Sequence, residues 1–180
     1  TTTSSTSSKT ASGDDKALYP AKIEKSEAGA ATWKSAYAEK ASEATMKTDT
    51  EFTIDDGTAA KAVEAGYAVK NTFYIGTGTY DGQFTNLKVD SMKVSTGSDK
   101  KLAGAIRVLV YIDQNNWALV SPTGVEASCL AGTVVTDDTT KKLGIIRTDA
   151  FGKAEGDVNV KLYAFYDGAN EEVKTTQLTA

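Results

Sequence analysis

Four pairs of adjacent carboxylates are the side chains in this sequence that come closest to catalytic machinery. Two carboxylates can hydrolyse a glycosidic bond when they lie about 5–9 Å apart across a cleft. The pairs are Asp14 and Asp15, Asp55 and Asp56, Asp137 and Asp138, and Glu171 and Glu172. Neighbouring acids on a turn point in different directions, so we interpret all four pairs as solvated loop residues. We predict that the protein is not an enzyme.

Histidine is absent from the 180 residues, and Cys129 is the one cysteine. Mechanisms that need an imidazole are therefore excluded, including Ser-His-Asp and Cys-His nucleophiles and the HExxH zinc site. A single cysteine cannot form an intramolecular disulfide. Its neighbours in Ala-Ser-Cys-Leu-Ala are small or apolar, which predicts a small buried residue.

Two loop segments, residues 113–116 and 167–171, offer the oxygen ligands that calcium prefers. Neither has the spacing of an EF-hand, and Asx turns explain both without a metal. The glycine-rich segment 76–82 lacks the lysine of a phosphate-binding loop, and a strand rather than a helix is predicted to follow it. We predict a hairpin loop there, and no metal or other cofactor.

Exposed aromatic rings would support a different chemistry, the stacking of sugars. A β-sandwich of this size with exposed tryptophans is a common layout for carbohydrate-binding modules. The candidate rings are Trp33, Tyr37, Tyr80 and Trp117, together with Phe84. Packing of the same rings in the core is the competing interpretation. A cell-surface module that binds glycans is therefore the alternative function.

Length and charge narrow the choice further. A chain of 180 residues corresponds to one domain, or to a domain with an arm. The net charge of −4 gives no electrostatic basis for binding nucleic acid or anionic lipid. No apolar run approaches the roughly 18 residues of a membrane span, so we predict no membrane insertion.

The composition changes near residue 17. Ten of the first twelve residues are serine or threonine, and such a stretch has almost no apolar surface to bury. One interpretation is a linker or a glycosylated stalk. Because threonine favours extended strands, the other is that this segment adds as a strand to a sheet edge. We predict an extended arm at residues 1–16 and a single folded domain at residues 17–180.

Most of the domain carries the alternating pattern of β-strands. Residues 105–112 are apolar in both phases, which predicts a central strand covered on both faces. The pattern of 66–76 places Tyr67, Val69, Phe73 and Ile75 on one face. In 85–94 the apolar phase switches, which predicts a bulge or break. Further strands are predicted at 51–54, 117–121, 132–136, 143–147, 157–166 and 172–178.

Helical periodicity is confined to residues 28–46, where alternation around Trp33 fits a strand equally well. About eight to ten short strands separated by turn signals indicate a β-sandwich, jelly roll or barrel. The predicted fold is an all-β, jelly-roll-like sandwich with an extended N-terminal arm and at most one or two short helices.

Four segments in their order suggest a family. They are AVKNTFYI at 68–75, NLKV at 86–89, AIRVLVYID at 105–113 and VKLYAFYDG at 160–168. Over residues 30–180 the chain resembles the secreted surface proteins of Gram-positive bacteria related to camelysin and TasA. Camelysin-type proteins have been classed as metallopeptidases, but a chain without histidine shows no ligand set for that activity.

The resemblance implies a jelly-roll sandwich at the cell surface or outside the cell, exported and trimmed by a signal peptidase. It also implies assembly into biofilm-matrix fibres by donor-strand complementation. We therefore predict a structural subunit whose partners are copies of itself, with surface glycans as partners only in the alternative. Alternate arm residues would face the acceptor groove of the next subunit: Thr2, Ser4, Thr6, Ser8 and Thr10. An arm that projects from its own domain would favour this filament.

Overall fold

The fold is known from a computed structural model. It describes residues 67–95, 102–170 and 172–173, residue 63, and the backbones of four strands at 2–4, 21–25, 31–35 and 51–53. In these residues β-strands dominate, and every strand pairing is antiparallel. The predicted all-β class is confirmed. Helical conformation among them is limited to the 3-10 turn Ala103–Ala105 and to Val63, Glu172 and Val173.

Fourteen strands lie within the described residues. In chain order they are β1 Thr2–Ser4, β2 Ala21–Lys25, β3 Ala31–Ser35, β4 Glu51–Thr53, β5 Val69–Gly76, β6 Gln83–Phe84, β7 Leu87–Lys88, β8 Ile106–Asp113, β9 Asn116–Ser121, β10 Gly124–Leu130, β11 Thr133–Val135, β12 Ile145–Arg147, β13 Phe151–Gly152 and β14 Val158–Tyr166.

The main sheet has seven strands in the order β1-β5-β14-β8-β9-β10-β11. Strand β8 lies in its middle, as its two-phase apolar pattern predicts. Leu109 and Tyr111 are fully buried on one face of β8. Val110 and Ile112 pack on the other face, with apolar residues of the smaller strand pairs. A strand that is covered on both faces belongs in the interior of a sheet.

The two faces of the main sheet form separate parts of the core. One cluster contains Tyr111, Trp117, Cys129, Tyr163 and their neighbours. The rings of Tyr111 and Tyr163 pack edge to face, with their centroids 6.0 Å apart. The other face is covered by two short pairs, β12 with β7 and β13 with β6. The result is sandwich-like, with a large sheet and a smaller second layer. A fourth sheet, in the order β2-β3-β4, contacts β14 through β2.

Gly144 connects the second layer to the main sheet. Its N–H donates to the buried Ser128 Oγ on β10 at 2.8 Å, and its carbonyl accepts from the N–H of Val89 at 2.8 Å. Its φ is +85°, and a Cβ there would run into the Val89 carbonyl oxygen. Only glycine meets both conditions at this position.

Several predicted elements differ from the observed ones. In place of the predicted strand at 85–94 the structure has only the short strand Leu87–Lys88. The backbone after it is irregular, and this allows hydrophobic residues of both phases to pack over the main sheet. Tyr67 packs with the Trp117 cluster, whereas Phe73 and Ile75 pack with the cluster on the opposite face. The prediction of a strand at 172–178 is wrong at its start, where Glu172 and Val173 are helical. Residues 174–178 lie outside the described residues. Trp33 lies in a strand, β3.

A buried arginine ties the start of β8 to two other strands. Arg107 Nη1 donates to the carbonyls of Gly104 at 2.7 Å and Ile106 at 3.0 Å. Its Nη2 lies 3.2 Å from Asp167 Oδ2, just after β14. Its Nε lies 2.9 Å from Glu126 Oε1 on β10. The Nε–H bond does not point at this oxygen, so the contact is an ion pair and not a hydrogen bond.

Candidate functional site

The outer edge of β5 is where the described part of the arm meets the domain. Strand β1 runs antiparallel to β5, with Thr2 opposite Gly76, Thr3 opposite Ile75 and Ser4 opposite Tyr74. Addition to a sheet edge is the conformation that the serine- and threonine-rich composition predicts. The edge belongs to the same chain, so these three residues lie on their own domain instead of projecting from it.

The register decides which β5 residue each described arm position opposes. Directly opposed residues share a face of the sheet, so Thr3 lies on the face of Ile75, which packs with Val158 and Val160. Thr2 and Ser4 lie on the face of Tyr74, whose side chain is exposed. The predicted alternation refers to the groove of a neighbouring subunit, so for Thr2 and Ser4 it stays a prediction. Thr6, Ser8 and Thr10 lie outside the described residues.

The remainder of the β5 edge carries no strand among the residues that the structure describes. Three of the eight β5 residues pair with β1, which leaves Val69 to Phe73. The N–H of Thr72 donates to Asn71 Oδ1 at 2.9 Å, so it points away from β14 and toward this edge. An open edge presents a row of backbone donors and acceptors that another strand can use.

The acidic pairs do not form a catalytic cleft in the described residues. Asp137 accepts hydrogen bonds from the N–H and hydroxyl of Thr139, and these bonds lower the pKa of its carboxyl. Glu172 accepts from the N–H of Gly104 at 3.1 Å. Asp14, Asp15, Asp55, Asp56 and Glu171 lie outside the described residues. Of the three paired carboxylates that the structure describes, Asp137, Asp138 and Glu172, the first and the last accept from nearby N–H and O–H groups, which is a structural role.

The two candidate calcium loops are closed by their own hydrogen bonds. Asp113 Oδ1 accepts from the N–H of Asn115 at 2.8 Å and from Asn116 Nδ2 at 2.9 Å. Asp167 Oδ1 accepts from the N–H of Ala169 at 3.0 Å, while its Oδ2 faces Arg107. Both are Asx turns. Among the described residues, no group of three or more His, Cys, Asp and Glu side chains is placed to hold a metal ion.

Cys129 lies on β10, fully buried against Trp117 and its neighbours, as the sequence predicts. Burial raises the pKa of its thiol, and the nearby Asp113 carboxylate acts in the same direction, against a hydrogen bond from the Gly132 backbone. A protonated thiol out of reach of solvent is a poor nucleophile.

The fold separates Trp117 from the other aromatic candidates that the structure describes, Tyr80 and Phe84. The prediction is wrong for Trp117, which is 1% exposed because it packs between β8 and β10. Tyr80 is 57% exposed. The side chain of Trp33 and all of Tyr37 lie outside what the structure describes. Of the five rings named from the sequence, Tyr80 and Phe84 are brought together in the described residues.

Tyr80 lies at the end of a row of three aromatic rings. Its ring centroid lies 5.6 Å from that of Phe84, which lies 5.8 Å from that of Phe151. Beside these rings Lys153 pairs with Asp81. Sequence reasoning missed Phe151, Asp81 and Lys153, because β6 and β13 are two residues long and are separated by more than sixty positions in the chain.

Comparison with protein families, with curated proteins and with solved structures finds no match to this chain. In the described part of the chain, no helix is long and apolar enough to cross a membrane. Function must therefore be inferred from the β5 edge and the exposed aromatic rings.

Proposed function

We propose that this protein is a structural subunit of an extracellular filament at the bacterial cell surface or in a biofilm matrix. Its arm, residues 1–16, would pair with the β5 edge of the next subunit, after export and removal of a signal peptide. A projecting arm would favour a filament, and residues 2–4 do not project from their own domain. The observation that supports the proposal is instead their pairing with a sheet edge, at Tyr74, Ile75 and Gly76. A strand that adds to an edge within one chain can add to the same edge of another copy, which is a domain swap.

The register supports a longer donor strand than the one seen in the single chain. If the same antiparallel pairing continues, Lys9 falls opposite Val69, the first residue of β5. The segment 2–9 thus matches the full length of β5, and it contains no proline to interrupt the ladder. A donor of eight residues would pair along the whole of β5, and main-chain hydrogen bonds supply much of the affinity of strand addition.

The length of the arm is sufficient for exchange. Residues 5–20 separate Ser4 from the first residue of β2. An extended chain covers at most about 3.3–3.6 Å per residue, so these sixteen residues reach on the order of 55 Å. A domain of this size has a radius of gyration of roughly 15 Å. The arm can therefore leave its own edge and reach that of a neighbour. Such head-to-tail pairing is heterologous and produces an open filament unless it closes into a ring.

We infer further that the domain is a jelly roll, and that assembly instead of catalysis is its role. The large antiparallel sheet with a smaller layer over one face supports the first part. The structural use of Asp113, Asp137, Asp167 and Glu172 supports the second.

Deletion of residues 1–16 tests the requirement for the arm. Under conditions where the full chain forms filaments in electron micrographs, the shortened chain should remain monomeric. Filaments that persist without the arm would contradict the proposal.

Cysteine cross-linking tests the partner strand. Directly opposed residues of an antiparallel pair have Cβ atoms about 4.5–5.5 Å apart, close to what a disulfide needs. Chains carrying Ser4→Cys are mixed with chains carrying Tyr74→Cys and oxidised; the buried Cys129 does not compete. We expect a cross-linked dimer of the two variants.

Thr140→Cys serves as the matched control, since Thr140 is exposed on a turn between β11 and β12. It should give no cross-link with Ser4→Cys. A chain carrying both Ser4→Cys and Tyr74→Cys that closes only within itself, at every concentration where the full chain polymerises, would refute exchange between copies.

A further inference from the structure

The rings of Tyr80, Phe84 and Phe151 form a continuous row on the second layer of the fold. Phe84 and Phe151 are directly opposed across β6 and β13. Phe151 is buried with Val158 and Val160 and anchors the row in the core. Tyr80 and Phe84 are 57% and 39% exposed, so both rings present surface to solvent. Exposed apolar surface that is contiguous and held in place marks an interaction site.

The exposed ring of Tyr80 is held in position by the backbone around it. The N–H of Tyr80 donates to the carbonyl of Thr77 at 3.1 Å, closing a turn. The ring lies over Gly82, where a Cβ would overlap it. The absence of a side chain at Gly82 is thus what allows the ring to reach Phe84. A binding surface that is already ordered loses little entropy when its ligand arrives.

Polar groups at the border of the row have opposite charges. Lys153 pairs with Asp81, and their side chains are 64% and 79% exposed. Together they offer hydrogen-bond donors and acceptors with no net charge. A charged ligand would meet one attractive and one repulsive group here, whereas a neutral ligand rich in hydroxyls can satisfy both.

We propose that this row binds the pyranose rings of a neutral glycan. One face of a pyranose carries C–H groups that pack on the negative face of an aromatic ring. Tyr80 and Phe84 supply that contact, the Asp81 carboxylate accepts from sugar hydroxyls and the Lys153 ammonium donates to them. Since the row is built from β6, β13 and the turn at Tyr80, the inference does not rest on exchange of the arm. In a filament it would bring glycan and protein together in one matrix.

Calorimetric titration of the full chain with neutral hexasaccharides tests the site. Cellohexaose and chitohexaose are the probes, and hexagalacturonate and the chitosan hexamer are the charged comparators. We expect binding of a neutral probe at millimolar concentration and weaker binding of both charged ones. Tyr80→Ala should weaken binding by about three- to tenfold, since an aromatic stacking contact has this size.

Two further variants separate ring position from ring chemistry. Tyr80→Phe keeps the stacking face and should bind within about twofold of the native chain. Gly82→Ala keeps every aromatic residue but displaces the Tyr80 ring, so it should bind as weakly as Tyr80→Ala. Circular dichroism confirms that each variant is folded.

Three outcomes would overturn the proposal. They are no binding of either neutral hexasaccharide, equal binding by Tyr80→Ala and the native chain, and preferential binding of a charged comparator. Sedimentation analysis adds a fourth: if Tyr80→Ala changes self-association and no sugar binds, the row is a contact between copies of this chain.

Discussion

Arg107 is the residue whose replacement best tests how the start of β8 is held in the sheet. Its guanidinium binds two carbonyls and faces two carboxylates, while only 11% of its side chain is exposed. Arg107→Ala leaves Glu126 and Asp167 without their cation and leaves the Gly104 carbonyl with fewer donors. We expect a substantial loss of unfolding free energy.

The size of this loss follows from burial. Removing one partner of a buried ion pair costs about 3–5 kcal/mol. The side chains of Glu126 and Asp167 are 35% and 20% exposed, so solvent stabilises them in part after the change. We therefore expect Arg107→Ala to cost about 2–4 kcal/mol. Arg107→Lys should cost about 1–2 kcal/mol, because one ammonium cannot reach acceptors on three sides.

Urea denaturation, followed by circular dichroism and by the fluorescence of the buried Trp117, measures these differences. The matched control is Lys153→Ala, which removes an exposed pair with Asp81 and should cost no more than about 0.5 kcal/mol. The triple variant Arg107→Met, Glu126→Gln, Asp167→Asn removes the charge of both carboxylates that lose their cation. It should be more stable than Arg107→Met alone. Equal effects of Arg107→Ala and Lys153→Ala would refute this account of the β8 start.

Three further predictions concern the core. Ser128→Ala should cost about 1–3 kcal/mol in urea denaturation, because the buried N–H of Gly144 loses its acceptor; an unchanged midpoint would contradict this. Gly144→Ala should cost more than about 1 kcal/mol, since positive φ and the Val89 carbonyl both oppose a Cβ, and native-like stability would show that the backbone relaxes there. Burial raises the pKa of the Cys129 thiol in the folded state. The contribution of this thiol to the unfolding free energy is therefore fully present below the unfolded pKa of about 8.5 and is lost as pH rises above it. Between neutral and alkaline pH, the native chain should therefore lose unfolding free energy relative to Cys129→Ala. A difference that does not change with pH would contradict this.

The central strand could be predicted because its sequence carries two apolar phases. Val110 and Ile112 pack in one half of the core and Leu109 and Tyr111 in the other, which is the pattern of a strand covered on both faces. By contrast, β10 had no such signal. Its Glu126, Ala127, Ser128 and Cys129 are neither β-branched nor aromatic, yet the last three are fully buried. Small side chains fit there because Trp117 and Leu119 on β9 fill the adjacent space.

The candidate sites, too, could be predicted from the sequence only in part. Addition of the arm to an edge could be predicted from its composition, but the choice of β5 and the register at Gly76 depend on which strand the sheet leaves at its edge. Tyr80 could be named as an aromatic residue of interest. So could Phe84, but Phe151 could not, because it meets Phe84 only when two short strands pair.

The sequence by itself determined the chemistry that this protein lacks and the class of its fold. A chain with no histidine and one cysteine between small residues has no imidazole mechanism, and its period-two apolar pattern specifies strands. Those properties are local, so they can be read along the chain. Only the tertiary structure decided that Trp117 is core, that Tyr80 is surface, and that Arg107 joins three strands. Burial and contact depend on which distant strands pair, and that is set by the packing of the whole domain.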